Sequence, residues 1–88
     1  MTAAASREHI RATILAVLGG IAPEIDPSMI DPEIDLRDQL DIDSMDFLNL
    51  VIGVHERLGV DIPEAHYPRL TTLDGFVDYV ALAMTSVH

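Results

Sequence analysis

With 88 residues, the chain suits one domain with one core and is too short for an enzyme with a separate lid or second domain. Fifteen acids against five arginines, with no lysine, give a formal net charge of −10, which excludes nucleic acid and anionic membrane as natural partners and favours a basic protein surface. No cysteine is present, so disulfides, thiolate metal ligands and a protein thiol nucleophile are excluded, and any thiol chemistry must come from an attached group.

Met1 to Ala5 offers nothing to bury and reads as a frayed end, with Ser6 as N-cap of a first helix over about 7–18. Ile10, Ile14, Val17, Leu18 and Ile21 share one face at helical spacing. Arg7 and Arg11 ahead of an apolar run superficially resemble a secretion signal. Glu8 interrupts that basic region, however, the shared face is what a core helix needs, and the run is too short to span a bilayer. The cytoplasm is the expected location, and Gly19-Gly20 the expected end of the helix.

Between Ile21 and Asp41 the prolines at 23, 27 and 32 break any periodicity, which predicts a long ordered loop pinned by Ile25, Ile30, Ile34, Leu36 and Leu40. Nine of the acids lie between Glu24 and Asp46, opposed only by Arg37. Asp31, Glu33 and Asp35 alternate as calcium ligands do. Leu36, however, stands where a calcium loop needs its glycine, and Ile42 where it needs a bidentate Glu. The reading is therefore solvated acids that hold cations loosely, with no specific metal site.

The stretch from Asp41 to Leu58, DIDSMDFLNLVIGVHERL, predicts an amphipathic helix over about 44–58. Phe47, Leu50, Val51, Val54 and Leu58 fall in one arc, and Asp46, Asn49, Gly53, Glu56 and Arg57 in another. Met45, Leu48 and Ile52 form a second apolar group outside both. One helix cannot turn both apolar arcs into the same small core, so the second reads as a surface for a partner, against the alternative that it is simply more core. Asp43 as N-cap and Asp46 three residues on form a capping-box pattern. Ser44 then lies in the first turn, beside unpaired backbone donors and the positive end of the helix dipole, a place suited to a phosphate ester. Taken alone, Ser44 also reads as an ordinary capping residue.

Gly59 supplies the left-handed residue that stops this helix. Pro63 suits the first turn of a short helix over about 64–67, which Pro68 cuts off. Thr71-Thr72 caps a final helix over about 73–86, with Asp74 completing a capping box from Thr71, and with Leu73, Phe76, Val77, Val80, Met84 and Val87 as its buried stripe. The fold class is all-α: residues 1–88 as a single small four-helix bundle, three helices long and one short, with a long loop between the first helix and the serine-bearing one.

Ser44 has no partners for catalysis. There is no Gly-x-Ser-x-Gly elbow, and His55, three turns along the same helix, lies about 16 Å away at 1.5 Å per residue. His9, His55, His66 and His88 lack metal-ligand spacing and read as surface or partly packed side chains.

Asp43-Ser44-Met45 at a helix start, followed at matching intervals by Leu58-Gly59-Val60-Asp61-Ile62-Pro63 and Thr71-Thr72-Leu73, resembles the acyl carrier protein family, whose motif is Asp-Ser-Leu. The resemblance covers roughly the last half of the chain, and the family also has a long connection after its first helix. It implies a carrier rather than an enzyme. By resemblance Ser44 receives a covalent 4′-phosphopantetheine arm from a phosphopantetheinyl transferase, and the arm's thiol carries an acyl group as a thioester. Asp43 helps the transferase present magnesium and substrate, and Met45, Asp46, Leu48, Ile52 and Glu56 form the face met by acyl-loading and acyl-using enzymes with basic surfaces. A monomer is expected, and Met1 with two short tails suggests that the chain stands alone.

The departures have a direction. Asn49 and His55 stand where the usual bacterial fatty-acid carrier has acids, Arg57 is added, and Met45 replaces leucine. These favour a specialised pathway, with a fatty-acyl, polyketide or aminoacyl cargo. The rival reading from another class is an unmodified acidic helical adaptor that binds one protein through Met45, Leu48 and Ile52.

Overall fold

The computed structural model describes residues 6–85, with the side chain of Thr85 left aside. Three long α-helices carry the fold, α1 (Arg7–Ile21), α3 (Ser44–Leu58) and α4 (Leu73–Thr85), and a single-turn α2 (Leu36–Gln39) forms within the stretch expected to be loop. Two 3₁₀ segments, Pro27–Met29 and Glu64–Leu70, lie in the connections. The described residues contain no strand, so the architecture is the all-helical bundle that the periodicity predicts. The expected ends, Met1 to Ala5 and Ser86 to His88 with Val87, lie outside the described residues.

Helix α1 packs on both α3 and α4. Ile10, Ile14 and Leu18 meet Leu50 and Val54 of α3 and Phe76 and Val80 of α4 in one continuous core. Each such side chain contributes about 1.5–3 kcal/mol on burial, which is why the apolar stripes decide how the helices face. Ser6 caps α1, its hydroxyl accepting from the His9 amide. The helix does not stop at the glycine pair. It runs to Ile21, with the Ala22 N–H closing on the Leu18 carbonyl at 2.9 Å. The stop is Pro23: a residue before proline is pushed out of the helical region, and Ala22 sits at φ −134°, ψ 82°. A Cβ at Gly20 would meet no heavy atom within 4 Å. Gly20→Ala is therefore expected to stabilise the protein by about 0.5–1 kcal/mol, read as a higher urea midpoint.

The connection after α1 is ordered by its own acids. Asp26 caps the first 3₁₀ turn, and the Ser28 hydroxyl, then the Ser28 amide, hold its carboxyl below the usual range by hydrogen bonding to the charged form. Asp35 caps α2 by accepting from the Arg37 amide. Gln39 closes the loop on itself, accepting from the Asp31 N–H and donating to the Asp31 and Ile34 carbonyls. Two backbone bonds then fasten the loop to the far side of the bundle, from Leu36 N–H to the Thr71 carbonyl (2.7 Å) and from Asp74 N–H to the Pro32 carbonyl (3.0 Å). Ile30 and Leu36 are buried pins, as expected, and Ile25 and Leu40 pack partly. Ile34 is not a pin: it sits on the turn in which its own N–H bonds to the Asp31 carbonyl, and the side chain points outward, 46% exposed.

The last third differs from expectation twice. Pro68 does not end the short helix, which continues as a 3₁₀ segment to Leu70. One missing N–H is tolerated there because Leu70 is fully buried and the flanking side chains hold the segment in place. His66 Nδ1 shares a 2.7 Å hydrogen bond with the Tyr79 hydroxyl, and the Arg69 guanidinium lies 5.1 Å from the Tyr79 ring centre. Secondly, α4 is capped by Thr72, not by a Thr71–Asp74 box. The Gly75 amide donates to Thr72 Oγ1 at 3.0 Å, while the Thr71 carbonyl and the Asp74 amide are already bonded to the loop. Leu73, Phe76, Val77 and Val80 are buried as expected, and Met84 is partly so.

Candidate functional site

The Asp41–Leu58 stretch forms its helix as the local pattern predicts. Asp43 Oδ1 accepts from the Asp46 N–H at 2.9 Å, and Asp46 Oδ2 accepts from the Asp43 N–H at 3.3 Å, so the capping box is closed in both directions. At the other end Gly59 takes φ +69°, where a Cβ would be strained. His55 Nδ1 donates to the Val60 carbonyl at 2.9 Å, tying the outgoing strap to the last turn.

The two apolar arcs separate. Phe47, Leu50, Val51 and Val54 are buried, whereas Met45 is 62% and Ile52 43% exposed. Leu48 lies between, half-buried. Leu58, expected with the buried arc, is only partly covered at the helix end. Glu56 is exposed and Asp46 half-buried beside its capping partner.

Ser44 is the first residue of α3 and is exposed. It opens on a groove of about 540 Å³. Its α3 wall is Met45, Phe47 and Leu48, and its opposite wall is Glu64, Tyr67 and Pro68 of the 3₁₀ segment. Phe47 and Tyr67 meet edge to face, ring centres 6.0 Å apart, and set the floor between the two elements. Tyr67 also lines a second groove of about 340 Å³, with Val51, Ile52, His55 and Ile62, so that the same seam continues along α3. The site residues thus divide: Ser44, Met45 and Leu48 share the first groove, Ile52 belongs to the second, and Asp46 and Glu56 line neither.

The sequence reading missed the far wall and one cation. Arg37, from α2, lines the groove mouth and donates from Nη2 to Ser44 Oγ at 3.2 Å. Its signal was present in the sequence, as the lone cation among the nine acids between Glu24 and Asp46. Tyr67 and Pro68 left no comparable signal, because they reach the groove through a segment expected to stop at Pro68. Among the described residues no group of three acids or histidines is placed to hold a metal ion, and no helix is long and apolar enough to cross a membrane.

Comparison with known proteins agrees with this geometry. The family described as "Phosphopantetheine attachment site" matches residues 8–80. The chain is 34% identical over 83 residues to the acyl carrier protein of Acidothermus cellulolyticus, covering 94% of this chain and 98% of the relative. It is 34% identical over 79 residues to the acyl carrier protein of Myxococcus xanthus, covering 86% and 95%. It is also 31% identical over 77 residues to the meromycolate extension acyl carrier protein of Mycolicibacterium aurum, covering 88% and 78%. The bundle, the capped serine helix and these matches along nearly the whole chain place it in the acyl carrier protein family, whose members bear a covalently attached 4′-phosphopantetheine.

Proposed function

We propose that Ser44 bears the arm and that the protein shuttles a thioester-linked acyl group between the enzymes of a specialised fatty-acid, polyketide or related pathway. The observation that carries the reading is the exposed Ser44 hydroxyl on the first turn of α3, opening on an apolar groove. The residues fit the group: the hydroxyl is free of steric cover, a guanidinium stands beside it, and apolar walls lead away from it. When bound, the arm supplies the thiol that this cysteine-free chain lacks.

The chain's own residues then have separate tasks. Ser44 Oγ would give up its proton and bond to the pantetheine-bearing phosphorus of coenzyme A, as the pyrophosphate linkage breaks and adenosine 3′,5′-bisphosphate leaves. Asp43, whose Oδ1 is engaged in capping, helps the transferase present magnesium and substrate. Met45, Leu48 and Ile52 give enzymes apolar contact beside the serine, with Asp46 and Glu56 as acidic contacts for basic partner surfaces. Specialisation is supported by Asn49, His55 and Arg57 on the exposed side of α3, where the usual bacterial fatty-acid carrier is strongly acidic. The relative named as a meromycolate extension acyl carrier protein, 31% identical, is consistent with that reading.

The test is intact mass after incubation with coenzyme A, magnesium and a broad-specificity phosphopantetheinyl transferase. Wild type is expected to gain one phosphopantetheinyl group and Ser44→Ala none. An unmodified wild type, with the transferase active on another carrier, would leave the adaptor reading instead.

A further inference from the structure

We propose that Arg37 is the phosphate-binding residue of the attached arm, its guanidinium pairing with the phosphodiester on Ser44. The inference rests on Ser44 as the attachment residue. It starts from the 3.2 Å hydrogen bond from Arg37 Nη2 to Ser44 Oγ, since a group bonded to that oxygen begins within reach of the same donor. A guanidinium presents several donors in one plane and suits phosphate oxygens better than a lone hydroxyl.

The electrostatics of the site ask for such a partner. A phosphodiester adds a negative charge next to Asp43 and Asp46 and across the groove from Glu64. The helix terminus alone does not answer this charge. The Asp46 amide is taken by the Asp43 carboxylate and the Phe47 amide by the Asp43 carbonyl, so the first turn is partly satisfied and already carries two acids. Arg37 is the cation at hand, and it is uncommitted to any carboxylate among the described residues. Five of the nine acids in the surrounding run, Asp26, Asp31, Asp35, Asp43 and Asp46, each turn one carboxylate oxygen to a nearby backbone N–H. The guanidinium is left to the serine.

Arg37 also lines the groove, and Leu36 next to it is buried and bonded to the Thr71 carbonyl. The cation is thus carried on a fixed point rather than a loose loop. Pairing there draws the phosphate toward the α2 side of Ser44 and starts the arm at the groove mouth between Met45 and Pro68.

The test compares melting temperatures of unmodified and arm-bearing protein, in low-salt buffer, for wild type, Arg37→Gln and the control Arg57→Gln at the far end of α3. Arm attachment is expected to be more favourable to stability in wild type than in Arg37→Gln by about 2–6 °C, the size that an exposed charge-assisted contact gives in a domain of this length. The difference should shrink in high salt, and Arg57→Gln should behave as wild type. The ³¹P resonance of the phosphodiester should move on Arg37→Gln and stay in place on Arg57→Gln. Equal effects of attachment in wild type and Arg37→Gln, or an equal change in Arg57→Gln, overturn the assignment and leave the reading of Ser44 intact. A wild type that takes up no arm overturns both.

Discussion

Leu50→Ala is expected to lower stability by about 2–5 kcal/mol, a large share of the 5–15 kcal/mol that holds an ordinary domain together. Leu50 is fully buried on α3 and packs in the cluster that joins α1, α3 and α4, so truncation leaves a cavity that three helices would have to collapse together to fill. Ile52→Ala, two residues on, should stay within about 1 kcal/mol of wild type because its side chain is already 43% exposed. The same substitution, and Met45→Ala, should instead slow arm attachment or acyl loading, since the enzyme loses apolar contact beside Ser44. Urea midpoints and loading rates on one set of mutants separate the two arcs. If Ile52→Ala destabilised as severely as Leu50→Ala, the exposed arc would be core and the partner face would have to lie elsewhere.

Gly53→Ala should be destabilising although alanine is the better helix former. A Cβ at Gly53 would lie 2.5 Å from Val17 Cγ1, and Val17 is a stiff, buried side chain on α1. Overpacking of this kind costs about 1–3 kcal/mol, offset in part by about 1 kcal/mol of helix propensity. The contact sets how closely α1 approaches α3, and so how α3 presents Met45 and Ile52 to solvent. The control is Val17→Ala in the same chain: there Gly53→Ala should cost less by about 1 kcal/mol or more, a coupling that a double-mutant cycle reads directly. Additive effects would mean that the helices part without strain and that the glycine has no packing role.

The contrast between Gly20 and Gly53 shows why some of this was legible in the chain and some was not. Both glycines stand in helices, Gly20 near the end of α1 and Gly53 within α3. At Gly20 the space around the missing Cβ is open, and at Gly53 it is filled by a residue 36 positions away. Nothing within one turn of either glycine tells what faces its missing Cβ.

What the sequence determined by itself is whatever closes within about four residues or repeats at the helical period. The Asp43–Asp46 box, the Ser6 cap, the left-handed Gly59, the buried Phe47–Val54 arc and the exposed Met45 and Ile52 are all of that kind. So is the position of Ser44 on the first turn of α3. The tertiary structure decided the rest, because it depends on where core burial brings separate segments together. Pro68 is carried through a 3₁₀ segment by the burial of Leu70, and the cap of α4 moves to Thr72 because the loop has taken the Thr71 carbonyl and the Asp74 amide. Arg37 reaches Ser44, seven positions on and past the break between α2 and α3, because Leu36 beside it is held to Thr71. A pattern in the sequence can mark a lone cation among acids, but the oxygen it will meet is set by the burial of Leu36 and its backbone bond to Thr71, 35 positions away.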